Sequence, residues 1–143
     1  MNIIHIKDVA THFRETMELH KSDFGVTFSN FPSGACGDAT LVLGTHLKDI
    51  SLGKFNYMVG NYHGIEENSW SSHVWLQSGQ LVIDITADQF PNVDDKVIVS
   101  NNSIWHSTLN GRALHLADYR IYDANTKCSL ERIHHKVLGF IKK

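Results

Sequence analysis

A cysteine, a histidine and an aspartate follow one another in this chain as Cys36, His73 and Asp84. A thiol becomes a nucleophile when a base takes its proton, and the base works best when a third group fixes its tautomer and steadies its charge. These three residues stand in the chain order of a thiol-enzyme triad. The stretch around the last two predicts that they meet. Residues 72–77 (Ser-His-Val-Trp-Leu-Gln) and 80–86 (Gln-Leu-Val-Ile-Asp-Ile-Thr) read as two strands, with Ser78-Gly79 as the turn. A two-residue hairpin loop pairs residues whose numbers share one sum, here 157, and His73 and Asp84 share it. They are expected directly opposite each other on one sheet face, with Cβ atoms roughly 4.5–5.5 Å apart. A four-residue loop over 77–80 keeps that pairing and a three-residue loop breaks it, so the contact depends on turn length.

The surroundings of each residue favour chemistry over filler. Cys36 falls in the first turn of an expected helix, where unpaired N–H groups and a positive partial charge favour a thiolate. Gly34 and Gly37 flank it and leave room beside the sulfur. Cys128 lacks such a setting and reads as structural. On the hairpin, Val74, Leu76, Leu81, Ile83 and Ile85 share an apolar core face, while His73, Trp75, Val82 and Asp84 share the other. There the tryptophan can shield the His–Asp contact from water. An aspartate between Ile83 and Ile85 in mid-strand is costly without a partner. Asp84 is expected to hold the Nδ1 proton of His73. The remaining histidines need no shared role. His134-His135 stand at i, i+1 on a helix, and His5, His12 and His20 are seven and eight residues apart, so no zinc pattern is read and no metal or other cofactor is expected.

The elements that must position these residues follow from periodicity. Val9, Ala10, Phe13 and Met17 mark a helix over 7–20. The turn-forming Asn30-Phe-Pro-Ser-Gly34 precedes a second helix over 34–49, with Ser33 as N-cap and Ala39, Leu43 and Leu47 on its core side. A strand over 54–62, the 72–86 hairpin, and short strands at 96–99 and 119–122 come next. A helix over 126–141 closes the chain through Leu130, Ile133 and Val137. Helices at both ends with antiparallel strands between them define an α+β chain, expected as one domain over 1–143. With 143 residues, 42% hydrophobic and 20% charged, it is long enough and apolar enough for a core. A net charge of −2 with scattered Lys and Arg offers no footprint for nucleic acid or an anionic membrane. No run reaches the ~20 apolar residues of a membrane span. Lys7-Asp8 interrupt the first apolar run too early for a secretory signal, so a cytoplasmic protein with two free thiols is expected. Export by a route that reads no N-terminal signal stays open.

At this point the chain resembles the papain-like cysteine enzymes, in particular their transglutaminase-like branch. The resemblance rests on Cys36 at a helix start, His73-Val74-Trp75 on a strand 37 residues on, and Asp84-Ile85-Thr86 on the next strand a further 11 residues on. It covers roughly residues 30–90. Ser33-Gly34-Ala35-Cys36 is also similar to the approach to the papain cysteine, without its following aromatic and preceding cysteine. The resemblance implies a papain-like fold, with N-terminal helices packed on an antiparallel sheet and a C-terminal helix. It implies a Cys-His-Asp triad, and it leaves the substrate open.

A Cys36 acyl-enzyme formed on an amide is the chemistry expected, with hydrolysis by water. The tetrahedral oxyanion needs two donors. One is the backbone N–H of Cys36. The other is carried over as Asn30, six positions before Cys36, where papain-like enzymes place a glutamine. Tyr57, Asn61, Tyr62, His63 and Trp70 precede His73 and are candidate pocket residues. Tyr62, Trp70 and Trp75 are taken as the substrate-binding set. Ala87-Asp88-Gln89-Phe90 is expected to continue the hairpin and shape the site's edge. The expected partner is a protein or peptide, presenting a glutamine side chain or a peptide bond. Peptidase, amidase and protein glutamine deamidase all fit. A transglutaminase-type acyl transfer and a non-enzymatic binding domain are the alternatives, and the oligomeric state is open.

Overall fold

A computed structural model describes residues 1–63 and 70–142. Helix α1 spans Ile3–Leu19 and starts before the expected 7–20 because the Asn2 side chain caps it, accepting from the His5 N–H at 3.0 Å. Helix α2 spans Cys36–Asp49. Ser33 is not its N-cap, which is Ala35. Gly34 sits at φ +81, and a left-handed residue cannot belong to a right-handed helix, so the helix begins only beyond it. This places Cys36 at the first helical position. A short helix, α3, spans Ile104–Ser107. Helix α4 spans Ala124–Ile141, with Asp123 as N-cap accepting from Thr126 N–H.

Between the helices lies a five-stranded sheet of β1 (Asn56–His63), β2 (Trp70–Ser78), β3 (Leu81–Asp84), β4 (Ile98–Ser100) and β5 (Arg112–Leu116), ordered β4-β3-β2-β1-β5. Every neighbouring pair is antiparallel, so the architecture is α+β. The strand expected at 119–122 is instead a 3-10 turn over Tyr119–Ile121, because the Asp118 carboxylate accepts from the Arg120 N–H at 3.0 Å and winds the backbone. The last strand is β5, just upstream. Ala87–Gln89 likewise winds into a 3-10 turn and does not continue the hairpin.

The hairpin register differs from expectation by two residues. Leu76 pairs with Ile83, Gln77 with Val82 and Ser78 with Leu81, so paired numbers sum to 159 and the loop is Gly79-Gln80. Gly79 takes the first loop position at φ +58, which a side chain resists, and the Gln77 amide braces it by donating to the Gly79 carbonyl at 2.9 Å. A slip of two keeps every side chain on its expected face, whereas a slip of one would have reversed them.

The two faces are buried differently. Leu76, Leu81, Ile83 and Ile85 join the main core with Ile6, Phe13, Leu43 and Val137 of the helices. On the opposite face Trp75 and Val82 join a smaller cluster with Tyr62, Phe90 and Leu109. Between helices, His134 of α4 meets His46 of α2 (Nε2 to Nδ1, 3.1 Å) and pairs its Nδ1 with the Tyr119 hydroxyl at 2.8 Å, a polar contact inside the helical layer. No helix among the described residues is long and apolar enough to cross a membrane.

Helix α2 lies against the sheet at Gly44. A Cβ added there would meet Ala117 Cβ at 2.7 Å, the Ala117 carbonyl at 2.8 Å and Leu76 Cδ2 at 2.9 Å. Gly44→Ala is therefore expected to lose about 1–3 kcal/mol in a urea titration, despite the better helix propensity of alanine. A variant as stable as the parent would refute this packing.

Candidate active site

Asp84 ends β3 and is only 3% exposed. Both its oxygens are engaged. Oδ1 accepts from the Thr86 N–H at 2.9 Å and from the Thr86 hydroxyl at 3.4 Å. This is the turn an aspartate makes with the residue two positions on, and it gives Asp84-Ile85-Thr86 its physical meaning. Oδ2 lies 2.6 Å from Nε2 of His73 and 2.7 Å from Nε2 of His106. His73 is fully buried and sits on β2 opposite Gly60 of β1. Because of the register, it is diagonal to Asp84 and not directly opposite, and a diagonal pair is roughly 7–8 Å apart at the backbone. The ring spans that gap with its far nitrogen. Asp84 therefore engages Nε2, not the expected Nδ1.

That leaves Nδ1 facing the other way. The Gln89 amide lies 3.4 Å from Nδ1, and the Cys36 thiol stands near enough to act on the charge of the ring. Burial pulls the His73 pKa down, but the Asp84 charge, its hydrogen bond and the Cys36 contact outweigh it and raise the value to about 9. Burial pushes Asp84 upward, and His73 and His106 overcome that, holding the carboxyl well below the usual carboxylate range. Cys36 itself is half-buried. Its helix start is braced by the Thr27 hydroxyl, which donates to Asp38 at 3.0 Å.

Aromatic rings enclose the His–Asp contact. The Phe90 ring meets His73 edge-on at 5.0 Å, Trp105 lies 5.7 Å away and Trp75 6.0 Å. Ala87–Phe90 thus stands beside His73 as expected, although wound as a turn. Asp88 is not a free surface residue. Its carboxylate takes two hydrogen bonds from the buried Arg14 of α1, at 2.5 and 2.8 Å, and Arg14 also donates to the Ile85 carbonyl at 2.9 Å. The segment leaving Asp84 is pinned to α1 in this way.

Asn30 is exposed, and its backbone carbonyl accepts from the Ser33 N–H, a turn contact. An oxyanion donor must work where water is excluded, so the exposed Asn30 does not suit that role. The Tyr57 hydroxyl lies 3.4 Å from where Gly37 would carry a Cβ, and burial, with charges at Tyr122, Cys36 and Asp38, pushes its pKa up to about 12. A protonated hydroxyl thus stands at the start of α2. Trp75 is 1% exposed and Tyr62 is stacked on Phe90 at 4.3 Å, so both are core groups and not open substrate contacts. Trp70 is open to solvent, stacked on His63 at 3.9 Å. Cys128 is exposed and fills no core position. A cavity of about 570 Å³ lies on the sheet's aromatic side, bounded by Met58, Trp75, Gln77, Ser103, His106 and Gly111. It borders His106, and neither Cys36 nor His73 lines it.

His106 is the participant that sequence reasoning missed. Only its place in Ser103-Ile104-Trp105-His106, a serine cap three residues before a histidine, hints that its backbone is fixed. His73, Asp84 and His106 also form a set that could hold a metal, with ligand atoms within 4.8 Å of one another. Two ligands on one zinc, with bonds of about 2.0–2.2 Å in tetrahedral array, stand about 3.3 Å apart. Here both nitrogens are 2.6–2.7 Å from a single oxygen, the spacing of hydrogen bonds. No family model, curated protein or solved structure matches the chain.

The pKa shift yields a prediction with a definite sign. His73 gains protons on folding, so its stabilising contribution is complete below about 6.5 and disappears as pH rises through about 9. Asp84→Asn removes the charge that offsets burial. The His73 titration followed by NMR is expected to fall from about 9 to below 6.5 in that variant. An unchanged midpoint would mean that Asp84 does not set it.

Proposed function

We propose that this chain is a cysteine-dependent hydrolase that acts on an amide bond through an acyl-enzyme, on a papain-like, transglutaminase-like scaffold. The observation that carries this reading is the setting of His73, with Nε2 on the buried Asp84 carboxylate and the Cys36 thiol, at the first position of α2, near enough to act on its charge. An imidazole so held accepts the thiol proton, and the carboxylate stabilises the imidazolium.

The Cys36 sulfur attacks the amide carbon and the C=O pair moves to oxygen. His73 returns its proton to the leaving nitrogen as the C–N bond breaks, giving a thioester and an amine or ammonia. Water, deprotonated by His73, attacks the thioester and releases the acid and the thiol. The oxyanion is met by the backbone N–H of Cys36, unpaired at the helix start, and by the Tyr57 hydroxyl, which takes the role expected of Asn30. The substrate is a protein or peptide, offering a glutamine side chain or a peptide bond. Ammonia release, peptide cleavage and amine incorporation on a glutamine-bearing protein distinguish deamidase, peptidase and acyl transferase.

Iodoacetamide is expected to label Cys36 faster than Cys128 at pH 6–7, although Cys128 is the more exposed thiol. Equal rates would count against activation. With substrate in hand, Cys36→Ala should abolish turnover and Asp84→Asn should cost about 10²–10⁴ in rate. Tyr57→Phe should cost about 10²–10³, and Asn30→Ala almost nothing. Full activity in Cys36→Ala would end the thiol-enzyme reading.

A further inference from the structure

We propose that His106, oriented by Ser103, is a positioning residue that fixes the Asp84 carboxylate on His73, a role that rests on the thiol-enzyme reading above. Helix α3 carries it. Ser103 caps that turn, and its hydroxyl lies 2.6 Å from Nδ1 of His106 and accepts from the His106 N–H at 3.4 Å. The ring is 3% exposed, with Trp75 at 5.0 Å and Trp105 edge-on at 4.8 Å. It has little freedom to turn.

The oxygen it engages decides the role. Thr86 occupies Oδ1 of Asp84, and His106 binds Oδ2, the same atom that faces His73. A carboxylate held through one oxygen can rotate about its Cβ–Cγ bond. Thr86 and His106 hold both oxygens independently of His73, so Oδ2 stays in place when the His73 ring turns or gives up its proton. A carboxylate only accepts, so Nε2 of His106 must carry a proton, and the Ser103 hydroxyl suits Nδ1 as the complementary donor. His106 reaches neither Cys36 nor the reacting atoms. It acts through Asp84 alone, by keeping Oδ2 aimed at Nε2 of His73.

The test is the pH profile of Cys36 alkylation by iodoacetamide, read by peptide mass spectrometry, with Cys128 as the internal control. In the parent, Cys36 should react faster than Cys128 at pH 6. In His106→Ala, the pH of half-maximal Cys36 labelling should rise by about one unit, making labelling about tenfold slower at pH 6, while Cys128 is unchanged. His106→Gln keeps an N–H donor near the Nε2 position and should recover most of the loss. If parental Cys36 reacts no faster than Cys128, the thiol-enzyme reading fails, and this role with it. If parental Cys36 is fast but His106→Ala leaves its profile unmoved, the positioning role alone is wrong. A folded His106→Gln as slow as His106→Ala likewise overturns the positioning role. Should the alanine variant fail to fold, long-range ¹⁵N–¹H spectra of the parent decide. A proton on Nε2 of His106 supports the role and a bare Nε2 overturns it.

Discussion

A carboxylate taken out of water loses a hydration shell worth several kcal/mol even after the protein relaxes around it, and only donors on both oxygens restore the balance. Asp84 sits under that constraint at 3% exposure. Its four donor contacts come from three places: Thr86 immediately after β3, His73 on β2 and His106 on α3. Moving any one of them takes a donor from a buried charge. The sheet must therefore present His73 on the Asp84 side, and residues 100–107 must fold back over the sheet. Arg14 fixes the chain just beyond by holding the Ile85 carbonyl and the Asp88 carboxylate. A helix from the start of the chain thus braces a turn some seventy residues later, and the turn holds one oxygen of Asp84 in place.

Covering both faces of the sheet gives this arrangement its chemical character. The helices bury one face with aliphatic and phenylalanine side chains, and the other is covered by Tyr62, Trp75, Phe90 and Leu109, with Trp105 packed against them. Charges in that enclosure interact more strongly than they would in water, so the same burial that penalises His73 and Asp84 separately strengthens their attraction. Cys36 enters from the helical layer, at the first position of α2, and α2 is held close to the sheet by the missing side chain of Gly44. Cys36 and His73 belong to different layers. Their relative placement depends on how closely those layers pack, and on nothing local to either residue.

That division explains what could be read from the chain. The apolar periods over Phe13 to Met17, Ala39 to Leu47 and Leu130 to Val137 each mark a helix, because a helix records its buried face in nearby residues. The hairpin records its faces too. Alternation places His73 and Asp84 on one side, and that parity survives the two-residue slip imposed by Gly79. Exact pairing is not legible, since it turns on which residue adopts positive φ. Nor is β5, a five-residue strand whose partner β1 lies over fifty positions earlier. Ser33 has the chemistry of a cap, but Gly34 takes a left-handed conformation and delays the helix. His106 has no visible link to Asp84, 22 residues upstream, because their contact exists only once the intervening segment has crossed the aromatic face. Asn30 shows the converse. Its distance from Cys36 along the chain suggests a donor, but the turn leaves it facing solvent.

The histidines show why burial and residue type alone do not set the charge of an imidazole. His73 and His134 are both buried, at 0% and 4% exposure, and each ring has polar neighbours at both nitrogens. Burial lowers the pKa of each. For His134 the neighbouring His46 adds to that effect and the value falls to about 4, so the ring is neutral at pH 7 and serves as a polar joint between α2 and α4. For His73 the neighbour is Asp84, and the value rises to about 9. One carboxylate separates a structural imidazole from one that can hold a proton beside a thiol. The sequence offers the same hint in its own terms. The acidic residue nearest His134 on its helix, Glu131, occupies an exposed position where a carboxylate costs nothing. His73 lies on a strand whose partner carries an aspartate among isoleucines. An acidic residue at a costly position marks the histidine that it will charge.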